Sequence, residues 1–192
     1  MPPFHQASID IGALAVTENG LLVTRAVGGL VQDALCARLE TLPPPAVLHL
    51  DFAAVRYMDV SCADEAVVHL QDRLQAGAFP DRFIVLANLA AQHRENIAAA
   101  LTVAHQTVLV QQQTNGVLLG PLADKYRTAF DAVVDAGATT ARQLQKTMAY
   151  STINEASTKL TALYQRRLIG REPFRQAVRG GGRQFRYLSL LD

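Results

Sequence analysis

Three short apolar runs constrain this chain more than anything else in it. They are "AVLHLDF" at 46–52, "RFIVLANL" at 82–89 and "QTVLVQQQ" at 106–113. Each stands behind a stretch of helical periodicity. Runs of this length read as buried strands, and strands alternating with helices imply a mostly parallel sheet covered by helices. The first helical stretch, "RAVGGLVQDALCARLETL", puts Val27, Leu30, Val31, Leu35 and Leu39 on one face. Thr24 is its expected cap, and the prolines at 43–45 stop it. The second runs from Asp59 or Ser61 to about Ala76, with Ala63, Ala66, Val67, Leu70 and Leu74 on one side. The third is "AAQHRENIAAAL". Upstream, "ASIDIGALAV" alternates like a strand and "LLVT" returns after Asn19-Gly20, a hairpin turn signal. "GVLLG" at 116–120 adds a short last strand, and the expected order is β-β-α-β-α-β-α-β.

After Pro121 the pattern changes. "LADKYRTAFDAVVDAG" reads as a helix ending at Gly137, and "TTARQLQKTMA" as a short helix with a threonine cap. "YSTINEASTKLTALYQRRL" is a third helix, with Thr152 and Glu155 at capping-box spacing. Two short strands then flank "GGG" at 180–182. The charge follows the same division. Residues 1–119 carry 6 Lys+Arg against 11 Asp+Glu, whereas 120–192 carry 12 against 6. Two modules are expected, 1–119 and 120–192, the second facing a polyanion.

The last third resembles the winged helix-turn-helix of MarR-type bacterial transcription factors. The resemblance rests on "TARQLQ", "STINEASTKLTALYQRRLIGRE" and the wing "RQAVRGGGRQFRYLSL". It implies double-stranded DNA as partner, with Ser151, Asn154, Ser157, Thr158 and Thr161 on the recognition helix and Arg175, Arg179, Arg183 and Arg186 on the wing. Short polar side chains near a helix N-terminus suit base edges, and arginines on a hairpin suit phosphates or the minor groove. A solvated helix surface and basic hairpin is the other reading. Ile153, Ala156, Leu160, Leu163 and Leu168 form the expected buried stripe. Arg167 stands where such families often have Gly.

Residues 7–118 resemble a STAS domain, the fold of anti-sigma-factor antagonists. The resemblance rests on "VLHLDF", "AAVRYMD" and "VSCADEAVVHL", and is to STAS-like variants with an acidic pair opening the helix. In phosphorylatable members an aspartate ends the segment after the strand and a serine two residues later takes the phosphate. Asp59 and Ser61 stand in that relation, followed by Cys62 where the family usually has glycine. "DVSCADEA" therefore supports three readings. Asp59 or Ser61 caps a helix whose positive end Asp64 and Glu65 favour. Alternatively, Asp59, Ser61, Asp64 and Glu65 form an exposed regulatory corner for a protein partner. A catalytic centre would need a base and an oxyanion site, and His69 lies about two turns along the helix from Ser61.

His49 is expected in the core, and His93 and His105 at the surface. Cys36 and Cys62 are expected to be reduced core residues. No metal-ligand spacing and no phosphate-binding glycine loop emerges, so neither a cofactor nor an enzyme is expected. The absence of a leader-like segment or a long apolar span points to a cytoplasmic protein without membrane contact. Together these readings give an α/β chain: a STAS-like sheet covered by helices, then a small α+β winged helix. The expected function is a transcriptional regulator, homodimeric through the helix from Leu122 to Ala136. A partner-switching adaptor that binds no DNA is the alternative.

Overall fold

The computed structural model describes residues 3–14, 19–112, 115–174 and 184–191. The chain divides into two compact units, Met1–Pro121 and Leu122–Asp192.

The first unit is built on a five-stranded sheet of order β1-β3-β5-β6-β7. Its strands are β1 (His5–Asp10), β3 (Ala46–Asp51), β5 (Arg82–Ala87), β6 (Val108–Gln112) and β7 (Asn115–Leu119). The first four run parallel, and β7 turns back antiparallel on β6. The helices are α1 (Arg25–Thr41), α2 (Val60–Ala63), α3 (His69–Gln75) and α4 (Ala91–Val103). A π-turn over Asp64–Val68 joins α2 to α3, so 60–75 runs on as one rod. These helices pack on one another as a single layer. Alternate strand residues (Ala46, Leu48 and Leu50; Ile84 and Leu86; Val108 and Val110) meet Val31, Leu35, Leu39, Ala66, Val67, Leu70, Leu74 and Ile97 in the core. The period of two in the strands and of about 3.6 in the helices supplies both faces of that layer.

Two expectations fail here. Among the described residues, no hairpin pairing forms across Asn19-Gly20, and residues 15–18 of the expected hairpin lie outside them. Instead β1 runs parallel to β3 at the sheet edge, while β2 (Leu21–Leu22) pairs parallel with β4 (Tyr57–Met58) in a separate ribbon. Asn19 and Gly20 do turn, at φ 52° and 72°, but the Gly20 carbonyl accepts the Arg56 N–H at 2.9 Å, and the chain leaves the sheet. Leu30, expected in the core, is 51% exposed. The helix layer wraps only the side of α1 bearing Val31, Leu35 and Leu39.

The second unit comprises α5 (Asp124–Ala136), β8 (Ala138–Thr140), α6 (Ala141–Thr147), α7 (Ile153–Gln165), β9 (Gly170–Phe174) and β10 (Gln184–Leu188). Its sheet order is β8-β10-β9, all antiparallel. Ala129, Phe130 and Val133 of α5 and Ala156, Leu160 and Leu163 of α7 are buried. α5 and α7 pack together, and α6 packs on α7. α7 ends in a Schellman motif: the Leu168 N–H reaches the Leu163 carbonyl at 3.1 Å and the Arg167 N–H reaches Tyr164 at 2.9 Å. Arg167 takes the left-handed position at φ 60° that glycine usually fills, and its side chain is buried. Arg171 lies between the Tyr164 and Phe185 rings, 4.1 Å from each centroid.

Candidate functional site

Two surfaces carry the residues singled out from the sequence, one in each unit. In the first, the β2–β4 ribbon sets the start of α1 beside the start of α2. Asp59 is the N-cap of α2 and accepts three hydrogen bonds. Its Oδ1 takes the Cys62 N–H at 2.7 Å and the Ser61 hydroxyl at 2.9 Å. Its Oδ2 takes the Thr24 N–H at 2.9 Å, across from α1. Thr24 sits at φ 78°, ψ 150°, a conformation that strains a β-branched residue, while its own Oγ1 caps Val27 at 3.4 Å. One carboxylate thus fastens both helix starts. Burial works against the charge on Asp59, but these hydrogen bonds outweigh it and hold the carboxyl below its usual range.

Ser61, expected to be exposed, is half-buried, because its hydroxyl turns back to Asp59. Asp64 and Glu65 both meet the Arg25 guanidinium, at 2.9 and 2.7 Å. His69 Nδ1 lies 3.1 Å from Glu65 rather than near Ser61. Glu65 is held below its usual range: its burial is outweighed by His69 and Arg25. Asp64, Glu65 and His69 bring ligand atoms within 4.8 Å of one another, but the Arg25 guanidinium already pairs with both carboxylates. Cys62 is fully buried, and burial together with the Asp59 charge pushes its thiol up to about 12. At neutral pH it carries no thiolate and is no nucleophile. Cys36 and Cys62 are both free thiols.

The histidines divide differently from the expectation. His105 is exposed, but His93 is only 2% exposed. Its Nδ1 accepts the Ala90 N–H at 3.3 Å, standing in for a side-chain cap at the start of α4, and burial lowers its pKa. His49 is half-buried and bonds Gln6 at 2.8 Å.

In the second unit, α6 begins in a full capping box. The Gln143 N–H reaches Thr140 Oγ1 at 3.3 Å, and Gln143 Oε1 accepts the Thr140 N–H at 2.9 Å. α7 has only half of the expected one: Thr152 accepts the Glu155 N–H at 3.1 Å, while the Glu155 carboxylate pairs with Lys159. That ammonium lies 3.8 Å over the Tyr150 ring and is buried, which the sequence pattern did not reveal. Ile153, expected in the core, is 41% exposed. It sits at the first position of α7, before the helix reaches α5.

The outer face of α7 forms an open groove lined by Asn154, Ser157, Thr158, Thr161, Ala162 and Gln165. A second cavity of about 360 Å³ lies between this face and β10, with Arg142, Ile153, Asn154, Ser157, Gln184 and Phe185 in its wall. Asn154 and Ser151 are exposed, and Ser157 is half-buried. The side chains of Asn154 and Ser157 make no hydrogen bond among the described residues. Thr158 and Thr161 are less available. Thr158 bonds its hydroxyl to the Asn154 carbonyl at 2.8 Å, and Thr161 lies 3.2 Å from the Tyr187 hydroxyl. Arg186 is paired across the sheet with Glu172. Arg175, Arg179 and Arg183 lie outside the described residues. Arg142 and Lys146 on α6 are exposed cations that the sequence reading passed over, because short helices give no face until packed.

No protein-family model, curated protein or solved structure gives a significant match to this chain. Among the described residues, no helix is long and apolar enough to cross a membrane.

Proposed function

We propose that the chain is a DNA-binding transcriptional regulator. In this reading the second unit is a winged helix-turn-helix of MarR-like type: α7 enters the major groove, and the segment between β9 and β10 is the wing. The first unit is a STAS-like domain that receives a signal or docks a protein partner at the Asp59–Glu65 corner. The observation that carries the reading is the outer face of α7, where Asn154 and Ser157 project polar groups with no partner among the described residues. An asparagine amide matches an adenine edge with two hydrogen bonds, and a serine hydroxyl fits any base. Arg142 and Lys146 supply cations beside it for phosphates. A two-fold operator would be met by a homodimer.

The adaptor reading has its own support. Leu21, Val23, Tyr57 and Val60 are exposed apolar residues around Asp59, and Leu21 and Tyr57 are paired neighbours in the ribbon. Selection of bound duplexes from a random pool by the full chain separates the two. Enrichment of a sequence protected in footprinting supports the regulator. Retention of no duplex at low salt would leave the adaptor.

A further inference from the structure

In the first unit, a cavity opens at the carboxyl ends of β5 and β6. It measures about 540 Å³ and is lined by Asn88, Leu89, Arg94, Gln111, Gln112, Asn115 and Val117. Open parallel sheets present their ligand sites at this end of the strands, where helices begin and loops spread. The size falls within the range of small-molecule sites. The chemistry of the lining is selective. It contains one cation, four side-chain amides and two apolar side chains, and no acid.

Arg94 takes part in none of the ion pairs among the described residues, and is half-buried beside the cavity. Every other arginine of this unit except Arg56 bonds a side chain or a backbone carbonyl: Arg25 with Asp64 and Glu65, Arg38 with Thr41, Arg73 with Cys36, Arg82 with Leu42. Arg56 is exposed. Asp51 reaches the site only through Asn88, whose Nδ2 donates to it at 2.8 Å. That bond fixes the Asn88 amide, and Asn88 itself sits at φ 57°.

We propose that this cavity binds a small organic anion, with Arg94 gripping its carboxylate or phosphate group and the amides of Asn88, Gln111, Gln112 and Asn115 bonding hydroxyl or amide groups on its body. A guanidinium fork matches a planar carboxylate or a phosphate edge with two parallel hydrogen bonds. Amides both donate and accept, so they suit neutral hydroxylated groups rather than further charge. Leu89 and Val117 cover the ligand's carbon skeleton. This site is built wholly from residues of the first unit, so it holds whether or not the second unit binds DNA.

The test uses the full chain, without DNA, at constant ionic strength, with backbone amide NMR as readout. The probes are inorganic phosphate, glycerol 3-phosphate, acetate and gluconate, so that oxyanion type and hydroxylation vary separately. Saturable shifts confined to the amides of Asn88, Leu89, Gln111 and Asn115 are expected. The hydroxylated probe of the preferred type should bind about tenfold tighter than the bare one. Arg94→Gln should weaken both about tenfold or more, and Asn115→Leu should remove chiefly the advantage of the hydroxylated probe. Each variant's own spectrum reports that it folds, and Arg94→Lys replaces Arg94→Gln should that one not. Shifts that fail to saturate by roughly 50 mM, or an Arg94 variant that binds like the wild type, would overturn the proposal.

Discussion

Asp59→Ala cuts the tie between the starts of α1 and α2. The carboxylate accepts from Cys62, Ser61 and Thr24, and each loses its partner at once. Losing an N-cap costs about 0.5–2 kcal/mol, and a donor left without its acceptor about 1–3 kcal/mol. Water reaches this half-buried corner and recovers part of the loss. Thr24 is also released from a strained conformation that costs about 1–3 kcal/mol to hold. The expected net loss is about 2–3 kcal/mol, against about 1 kcal/mol for Asp59→Asn, which keeps one acceptor. Native-state hydrogen exchange reads it locally at the Gly28 and Ala63 amides, which bond to the Thr24 and Asp59 carbonyls. Their exchange should quicken about 30- to 150-fold in the Ala variant. The pH dependence has a definite sign. The folded carboxyl lies below its ordinary value of 3.8, so its contribution is complete above that pH and is lost as pH falls through the folded value. The gap between wild type and Asp59→Ala should therefore close in strong acid. A change in exchange below about threefold at pH 7, or a gap independent of pH, would refute the reasoning.

Gly28→Ala places a methyl 2.7 Å from Glu65 Cβ and 2.9 Å from the Cys62 carbonyl, so it should destabilise the unit by about 1–3 kcal/mol. Gly29→Ala meets only Glu65 Cγ, at 3.9 Å, and should stabilise by up to about 1 kcal/mol; thermal melts of the two variants check both signs. Thiol titration at pH 8 should find Cys62 unreactive in the folded chain and both cysteines reactive in denaturant, since burial and Asp59 together suppress its thiolate. Asn154→Ala should cost about 1–3 kcal/mol on a selected duplex and little on random DNA, whereas Arg179→Ala with Arg183→Ala should weaken both and reduce the salt slope by about one per lost phosphate contact. Affinity measured against salt concentration on the two duplexes separates these cases.

What could be read from the sequence was whatever depends on period and local chemistry. The three apolar runs became β3, β5 and β6, and Thr24, Thr140 and Thr152 cap the helices they precede. What escaped depends on distant partners. Leu21 and Leu22 looked like a returning hairpin strand because Asn19-Gly20 is a local signal, but their partners lie at Tyr57 and Met58. β8 has only three residues and reads as the approach to a helix cap, so it becomes a strand only through Tyr187 and its neighbours. His93 sits among polar residues in "AAQHREN", and only the fold turns it inward. At the corner, the spacing of Asp59 and Ser61 was legible. The third bond to Thr24, which makes Asp59 a joint between helices, was not. The cavity beside Arg94 draws on two strands and a helix start, and no linear motif announces such a set.

The position of β10 in its sheet sets an order of events during synthesis. In the first unit the strands join in nearly the order in which they appear, and the last, β7, only has to fold back on its predecessor. In the second unit the strand made last is the middle one: β8 and β9 touch β10 and not each other. The Ser189 N–H also closes on the Gly137 carbonyl at 2.8 Å, at the end of α5. A nascent chain can therefore complete the first unit once Pro121 has emerged. α5, α6 and α7 must wait without their sheet until residues 184–188 follow. Contacts of that sequence separation slow folding, and domains tend to fold in the order they emerge. A chain that has emerged only to just before Gln184 would thus present a finished α/β unit tethered to three helices still in search of a floor.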